Sequence, residues 1–272
     1  MTQRQRKPRT IELEARIEAS VEAVWKALTD VSELSRWFPP LAEGKPGLGE
    51  ELLFSWGPEM QWSSTVAAWE PGKHLLWRDK AALEFPGSTE APPTPMAVDW
   101  TLQAASGGQV VVRLVVSGFG EGEAWDDFYD GGERGWRFFL FALRHYLQRH
   151  RGVKRDMVSI RRPTQSGAAA WKRLWSPEGL SPTPSENQLK AGQSFEVQLG
   201  KERLAGTVAV VEQPHIFWAT LAALESATLL VEMEPGREST HCGIWLSTYG
   251  LPAKRVEALQ EGLTATANRV FG

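Results

Sequence analysis

The chain has 272 residues, a formal net charge of −3 and a hydrophobic fraction of 42%, a composition typical of a globular protein with room for two domains of ordinary size. It contains no apolar run of about 18 residues, which excludes a membrane-spanning helix of ordinary length. The basic segment 1–9 leads into no apolar stretch, so it is predicted to be a flexible tail rather than a secretory signal. Cys242 is the single cysteine, so no intrachain disulfide can form, and we expect a cytoplasmic protein.

The charge is unevenly distributed along the chain. Residues 11–150 hold 12 Lys and Arg against 21 Asp and Glu, a net charge of −9, whereas residues 151–272 hold 14 against 12, a net charge of +2. An acidic first half would be repelled by a phosphate backbone. Nucleic acid is therefore not expected as a partner.

The first half of the chain is predicted to begin with a strand and two helices. Residues 10–19 alternate apolar and polar side chains, which predicts a strand. Ser20 is a good N-cap for a helix with Trp25 on its apolar face. A second short helix is predicted from Ser32 and carries Trp37 and Phe38 before two prolines end it.

A series of strands and one long helix complete this half. The segment 125–150 has an apolar stripe at helical spacing and predicts a long helix. A helix so apolar needs extensive cover, and an antiparallel sheet is the available partner. The alternating segments predicted as strands are 52–56, 62–70, 74–78, 98–102 and 110–116, the second and third joined around Pro71 and Gly72.

The second half repeats the first in reduced form. The segment 207–218, TVAVVEQPHIFW, repeats the segment 65–77, TVAAWEPGKHLLW, with one gap at the turn. Two further matches occur in the same order, one around Trp25 and Trp171 and one around Gly120 and Gly250. A repeat this long indicates duplicated domains rather than a solenoid. We therefore predict a tail at 1–9, one domain at 10–152 and a degenerate second domain at 153–272, in which a proline-rich loop replaces the second helix.

The order of these motifs resembles a known family. The motifs WKALTD, ELSRWFPP, EPGKHLLW and GFG…GERGWRFFLFALRHYL are similar to those of the SRPBCC or START-like superfamily, in the branch related to the activator of heat-shock protein 90 ATPase. The resemblance covers residues 10–150 well and the second half weakly. It implies an α+β fold of two tandem helix-grip domains, each a curved antiparallel sheet wrapped around a long C-terminal helix. It also implies an internal cavity that binds lipids, polyketides or other apolar molecules.

Aromatic side chains are the candidates for lining that cavity. Nine of the 13 tryptophans precede residue 140, and large aromatic side chains supply most of the contact area of an apolar site. Trp25 lies at core spacing on its helix and is assigned to the scaffold. Arg78, Arg113 and Asp99 are candidates for polar contacts that orient a ligand. The predicted ligand-binding residues are Trp37, Phe38, Trp56, Trp77, Trp100, Arg113, Phe119, Trp136 and Phe139.

Other kinds of site find little support in the sequence. The segment GFGEG at 118–122 superficially resembles a phosphate loop, but acidic residues crowd it, and phosphate needs a positive field. The acidic run from Asp126 to Glu133 lacks the spacing of a calcium loop. The five histidines have no zinc-ligand spacing, and no nucleophile motif occurs. We therefore predict no catalytic residues, no metal and no cofactor.

Three functions are consistent with these observations. The first is binding of an apolar or aromatic small molecule, lipid-like or polyketide-like, in the first domain without catalysis. The second is a polyketide cyclase-like or dehydratase-like enzyme acting on such a ligand, for which Arg113 with Asp99 is the polar pair to nominate. The third is an interaction module resembling a co-chaperone, with a chaperone or a second copy of the chain as its partner.

Overall fold

The computed structural model describes residues 9–82, 94–120, 125–234 and 240–272. Contacts divide the chain into a first unit that ends at Gly152 and a second that begins at Val153. Each unit contains an antiparallel sheet followed by a long C-terminal helix. The predicted α+β fold class is confirmed. Most of the basic tail, residues 1–8, lies outside the described residues.

The first unit is built on a seven-stranded sheet with the order β1-β7-β6-β5-β4-β3-β2. Its long helix α3 is followed by a π-helical turn, Tyr146–His150. The helices of this unit are α1 (Val21–Thr29), α2 (Val31–Leu34) and α3 (Asp126–His145), and its strands are β1 (Ile11–Ile17), β2 (Leu41–Gly44), β3 (Glu51–Ser55), β4 (Gln61–Glu70), β5 (His74–Asp79), β6 (Ala97–Ala105) and β7 (Gln109–Ser117).

The alternating pattern of the strands determines the inner face of this sheet. Val66 pairs with Trp77, and Trp100 pairs with Leu114, and all four side chains are buried. Because alternate residues of a strand point to the same face, one face of the sheet is apolar and packs against α1 and α3.

The second short helix is shorter than predicted. Asp30 rather than a later residue is its N-cap, and the Asp30 carboxylate accepts hydrogen bonds from the backbone N–H groups of Ser32 and Glu33. The helix ends at Leu34, so Trp37 and Phe38 lie in the turns that follow it. The first N-cap agrees with the prediction, because the Ser20 hydroxyl accepts a hydrogen bond from the Ala23 N–H.

The second unit has a six-stranded sheet with the order β8-β13-β12-β11-β10-β9. The segment between α4 and β9 contains turns and one 3-10 turn, Glu186–Gln188, in agreement with the predicted loop. The helices of this unit are α4 (Gly167–Leu174) and α5 (Ala253–Phe271), and its strands are β8 (Arg155–Thr164), β9 (Ser194–Leu199), β10 (Glu202–Glu212), β11 (Ile216–Leu221), β12 (Ala227–Glu234) and β13 (Thr240–Tyr249).

The core of the second unit is filled by its own side chains. Trp175, Phe195 and Phe217 contact each other through Phe217, with ring centroids 4.7 Å and 5.3 Å apart. Leu259 and Leu263 of α5 are buried in the same core. This unit therefore has fewer aromatic contacts than the first.

The repeated sequence segments form the same local structure in both units. The pairing of β4 with β5 shifts between Val66 and Ala68, and the pairing of β10 with β11 shifts between Val208 and Val210. Each shift is a β-bulge, which inserts one extra residue into a strand and increases its local twist. The alanine of each TVA motif therefore lies at the same bulge, and Ser166 caps α4 as Ser20 caps α1.

Candidate functional site

An aromatic cluster lies between the sheet and the long helix of the first unit, with Phe38 at its centre. The segment after α2 contributes Trp37 and Phe38, the strands contribute four rings, the turn after β3 contributes Trp56, and α3 contributes two rings. The ring of Phe38 has its centroid 4.7–5.9 Å from the centroids of six others. We call this group the Phe38 cluster; it consists of Trp37, Phe38, Phe54, Trp56, Trp62, Trp77, Trp100, Trp136 and Phe139.

Polar contacts hold the segment that presents Phe38. The Trp37 Nε1–H donates a hydrogen bond of 2.8 Å to the Ala27 carbonyl of α1. The Tyr146 hydroxyl donates to Glu33 Oε2 at 2.5 Å, and Arg36 donates to Glu33 Oε1 at 2.7 Å. These bonds attach α2 to α1 and to the end of the long helix, so Phe38 is held in a fixed position.

The cluster extends from the surface into the core. Trp62 is 36% exposed, and its ring stacks on the half-buried ring of Trp56 with centroids 5.0 Å apart. Trp56 contacts Phe38, and Phe38 contacts Trp77, which is 1% exposed. A continuous series of aromatic rings therefore joins an exposed tryptophan to fully buried ones.

Two buried N–H donors lie at the inner end of the cluster. Trp77 and Trp100 are on neighbouring strands, with ring centroids 5.7 Å apart, and both are essentially unexposed. Neither Nε1–H has a hydrogen-bond partner among the described residues. Most buried tryptophan N–H groups have an acceptor. Two unpaired N–H donors on adjacent indoles are therefore a distinct polar feature of an otherwise apolar site.

A carboxyl group lies on the same face of the sheet, two residues after Trp77. Asp79 accepts a hydrogen bond of 2.6 Å at Oδ1 from the hydroxyl of the buried Ser64, its direct neighbour on β4. Burial raises the pKa of Asp79 above its ordinary value, and the Ser64 hydrogen bond opposes that rise only in part. The inner face thus offers two N–H donors and one carboxyl group.

Seven of the nine predicted site residues meet in the Phe38 cluster: Trp37, Phe38, Trp56, Trp77, Trp100, Trp136 and Phe139. Phe119 does not join them, because its ring contacts Phe128 and Tyr129 near the start of α3.

The structure places the proposed polar residues away from the aromatic rings. Arg113 is more than half exposed and forms an ion pair of 2.8 Å with Glu12 on the outer face of the sheet. Asp99 also faces outward and lies 3.1 Å from His74. Arg78 is exposed as well. The nominated pair of Arg113 and Asp99 is therefore divided between two other partners, and neither residue faces the aromatic rings.

Four residues of the site were not predicted: Phe54, Trp62, Ser64 and Asp79. Phe54 lies two residues after Leu52 on β3, and Asp79 lies two residues after Trp77. Strand alternation therefore indicates that each of them shares a face with a predicted core or site residue. Ser64 gives no such signal, since its role depends on the pairing of β4 with β5.

The described residues hold little conventional catalytic chemistry. No three His, Cys, Asp or Glu side chains in the described part of the chain are grouped closely enough to hold a metal ion. Cys242 is buried in the second unit, and burial raises the pKa of its thiol to about 12. A thiol of this kind is not a nucleophile at neutral pH.

Within the same residues, no helix is long and apolar enough to cross a membrane. Residues 121–124, which include the last two residues of the GFGEG segment, lie outside the described part.

Comparisons with known proteins give a family match that falls within the first unit. Residues 18–148 match the family model described as activator of Hsp90 ATPase homolog 1-like protein. No curated protein matches the sequence. The solved Aha1 dimer of Colwellia psychrerythraea is 22% identical over 53% of this chain and 99% of its own, with a TM-score of 0.45. Protein MLL2253 of Mesorhizobium loti is 26% identical over 52% of this chain and 98% of its own, with a TM-score of 0.43.

One further solved structure is similar over nearly the whole chain. The di-domain ARO/CYC protein BexL of the BE-7585A biosynthetic pathway is 12% identical over 97% of this chain and 99% of its own, with a TM-score of 0.46. The family match spans most of the first unit, including α1, the complete series of β-strands after it and α3. The first unit is therefore similar, over residues 18–148, to the activator of Hsp90 ATPase homolog 1-like proteins, an SRPBCC-like family.

Proposed function

We propose that the first unit binds an apolar, aromatic small molecule at the Phe38 cluster. Aromatic side chains favour flat apolar ligands through dispersion and through the release of water from both surfaces. The cluster continues to the surface at Trp62 and Trp56, which gives a ligand a path of matching chemistry. Small-molecule sites typically combine such walls with a few polar groups that orient the ligand.

One observation carries this proposal: the indoles of Trp77 and Trp100 are buried in contact with each other, and neither Nε1–H has an acceptor among the described residues. A buried unpaired donor costs about 1–3 kcal/mol. A ligand oxygen placed between the two indoles would recover part of that cost. The indoles thus favour bound ligand over an empty site, whereas a core that only filled space would gain more from phenylalanine.

The first test compares masses of the freshly purified protein. We expect the native mass to exceed the denatured mass by that of a bound small molecule. A titration with fluorene and fluorenone, which are rigid aromatic probes, should quench tryptophan fluorescence with saturation at one equivalent. Equal masses together with no saturable quenching would reject the binding function. Interaction with a heat-shock protein 90, measured as a change in its ATPase rate, would then be the hypothesis to examine.

Substitutions then locate the site. Replacing Trp77 and Trp100 together with phenylalanine keeps the apolar walls and removes both donors, and should weaken fluorenone binding by about tenfold or more. Trp69→Phe is the matched control, because Trp69 lies on the same sheet but contacts Trp25 of α1 at 5.0 Å, outside the cluster. Equal effects of the control and the double variant would place the ligand elsewhere.

A further inference from the structure

Asp79 places a carboxyl group on the inner face of the sheet, the face that also carries the aromatic cluster. It pairs with Ser64 across the β4–β5 ladder, and Val66 and Trp77 form the preceding pair with the same orientation. The residues that flank Asp79 point the other way: Arg78 is exposed, and Lys80 forms an ion pair with Glu51 at 2.5 Å. The carboxyl of Asp79 therefore faces the same side as the indole of Trp77.

The Asp79 carboxyl has spare hydrogen-bonding capacity. Its Oδ1 accepts the Ser64 hydroxyl, and within the described parts of the chain the carboxyl has no other hydrogen bond and no ion pair. Burial raises the pKa of Asp79, because its carboxylate is poorly solvated at this position. An ionised carboxyl group accepts hydrogen bonds and donates none.

The donors of the site restrict the chemistry of the ligand. Trp77 and Trp100 offer N–H donors only, so an ammonium group of a ligand, which is itself a pure donor, would leave both unpaired. An ionised carboxylate could accept from the indoles, but its charge would meet the Asp79 carboxyl, and like charges in a poorly solvated site repel strongly. A neutral carbonyl or phenol oxygen accepts from the indoles without that repulsion.

From these groups we infer that the site selects aromatic ligands with a neutral oxygen acceptor, such as a ketone or phenol, and that Asp79 excludes their ionised carboxylate analogues. This inference rests on the proposed function and assigns its ligand class. Asp79 acts here as a specificity residue, which contacts the polar end of the ligand. The Phe38 cluster supplies most of the contact area.

Three probes of one shape test the inference on the full chain: fluorene has no acceptor, fluorenone has a neutral ketone, and fluorenone carboxylate adds a negative charge. At neutral pH we expect fluorenone to bind about tenfold or more tightly than fluorene, since the indoles are paired only by the ketone. Fluorenone carboxylate should bind about tenfold or more weakly than fluorenone. Isothermal titration or fluorescence quenching gives the three dissociation constants.

The variant Asp79→Asn distinguishes exclusion by charge from exclusion by shape. It keeps the size of the side chain and an oxygen that can accept from Ser64 but cannot ionise, so fluorenone carboxylate should gain about tenfold in affinity while fluorenone changes by less than about threefold. Asp99→Asn is the matched control on the outer face of the neighbouring strand and should leave both constants unchanged. Asp79→Ala is the second variant, used if near-ultraviolet circular dichroism shows that Asp79→Asn is misfolded.

The outcomes separate the two proposals. If wild-type protein binds fluorene and fluorenone but the ratio of fluorenone to carboxylate affinity in both Asp79 variants equals that of the wild type, the role of Asp79 is overturned and the binding function remains. If neither neutral probe binds, the binding function fails and the inference fails with it. Equal affinities of the wild type for fluorenone and its carboxylate would also overturn the inference.

Discussion

The ring of Phe38 contacts six other aromatic rings, contributed by two strands, the turn after β3, a helix and the segment that follows α2. The contribution of Phe38 to stability therefore depends on the rings that it keeps apart as well as on its own buried area. Removal of the ring would leave a cavity bounded by indoles too rigid to collapse into it. The cost of a cavity depends on how well its walls can relax.

We predict that Phe38→Ala lowers the free energy of unfolding by about 3–5 kcal/mol, because both the transfer energy and the unrelaxed cavity contribute. Urea unfolding followed by tryptophan fluorescence measures it. Trp62→Ala is the control, since Trp62 is 36% exposed and its loss should cost far less. Similar losses in both variants would show that the cluster is loosely packed.

Asp79 gives a prediction on stability and pH. Its pKa is raised in the folded state above the ordinary value of 3.8, chiefly by burial. The folded state therefore binds more protons than the unfolded state in a window that begins near the ordinary value and extends upward, and stability falls as the pH rises through it. At pH values above this window, the free energy of unfolding has lost its full contribution from Asp79 and no longer changes with the titration of this group.

Asp79→Asn lacks this fall, so its free energy of unfolding should exceed that of the wild type at neutral pH, and the difference should shrink on acidification. Urea unfolding across the acidic range measures the difference, with Asp99→Asn as the control. A difference that grows toward acid would show that the folded state prefers the carboxylate, contrary to the burial argument.

At the scale of elements, α2 is a single turn that depends on its attachments. Tyr146 of the π-helical turn donates to Glu33 of α2 at 2.5 Å and accepts from the Gly152 N–H at 3.0 Å. Both Tyr146 and Glu33 are buried. A π-helical turn shifts the side chains that follow it around the helix axis, and here it positions the hydroxyl of Tyr146 opposite the carboxylate.

We predict that Tyr146→Phe costs about 1–3 kcal/mol of unfolding free energy, because the buried Glu33 loses a donor to its charge. It should also weaken fluorenone binding, since α2 positions Trp37 and Phe38. Tyr129→Phe is the matched control, as Tyr129 donates one bond of 3.0 Å to the Thr10 carbonyl. Equal small losses in both variants, with binding intact, would show that α2 is held by its apolar contacts alone.

In the second unit, the long helix packs closely on a strand turn. Gly200 has a φ of +60°, and a Cβ added there would lie 2.6 Å from the Cα of Gly262 in α5. Gly192 has a φ of +81° but open space around a Cβ. The two glycines therefore share a left-handed backbone and differ in whether the helix is in contact.

We predict that Gly192→Ala costs about 1–2 kcal/mol, the penalty of the left-handed conformation, and that Gly200→Ala costs about 1–3 kcal/mol more because backbone must move apart. Thermal unfolding of the two variants measures the difference. Equal losses would show that α5 can shift without cost.

At the scale of the whole molecule, the duplicated sequence produces two sheets of the same plan with different interiors. The first unit concentrates nine rings in the Phe38 cluster, whereas the second fills its core largely with aliphatic side chains. The repeated bulge and the repeated serine caps are local features, fixed by backbone geometry. Among the described residues, an aromatic cluster of this size is a long-range feature of the first unit alone, and we expect the binding function there.

The sequence predicted the elements better than the site. Strand alternation and helix spacing are local, so the order of elements, the Ser20 cap and the hairpin at Pro71 could be predicted. Parity also groups Trp77 with Asp79, but it does not say which face is inner, and for that reason Arg113 was assigned to the site although it faces outward. The bulge at Ala67 reverses the alternation within β4, so that Trp69 pairs with the buried Leu75, a change that periodicity alone does not reveal.

The most direct test of ligand binding at the Phe38 cluster is a proton–nitrogen correlation spectrum of the indole N–H groups. The peaks of Trp77 and Trp100 are assigned by their absence in Trp77→Phe and Trp100→Phe. Both peaks should move downfield when fluorenone is added and much less with fluorene, while the peak of Trp37, already bonded to the Ala27 carbonyl, should move little. If the peaks of Trp77 and Trp100 stay in place at saturating fluorenone, the indoles are not ligand contacts and the central claim is contradicted.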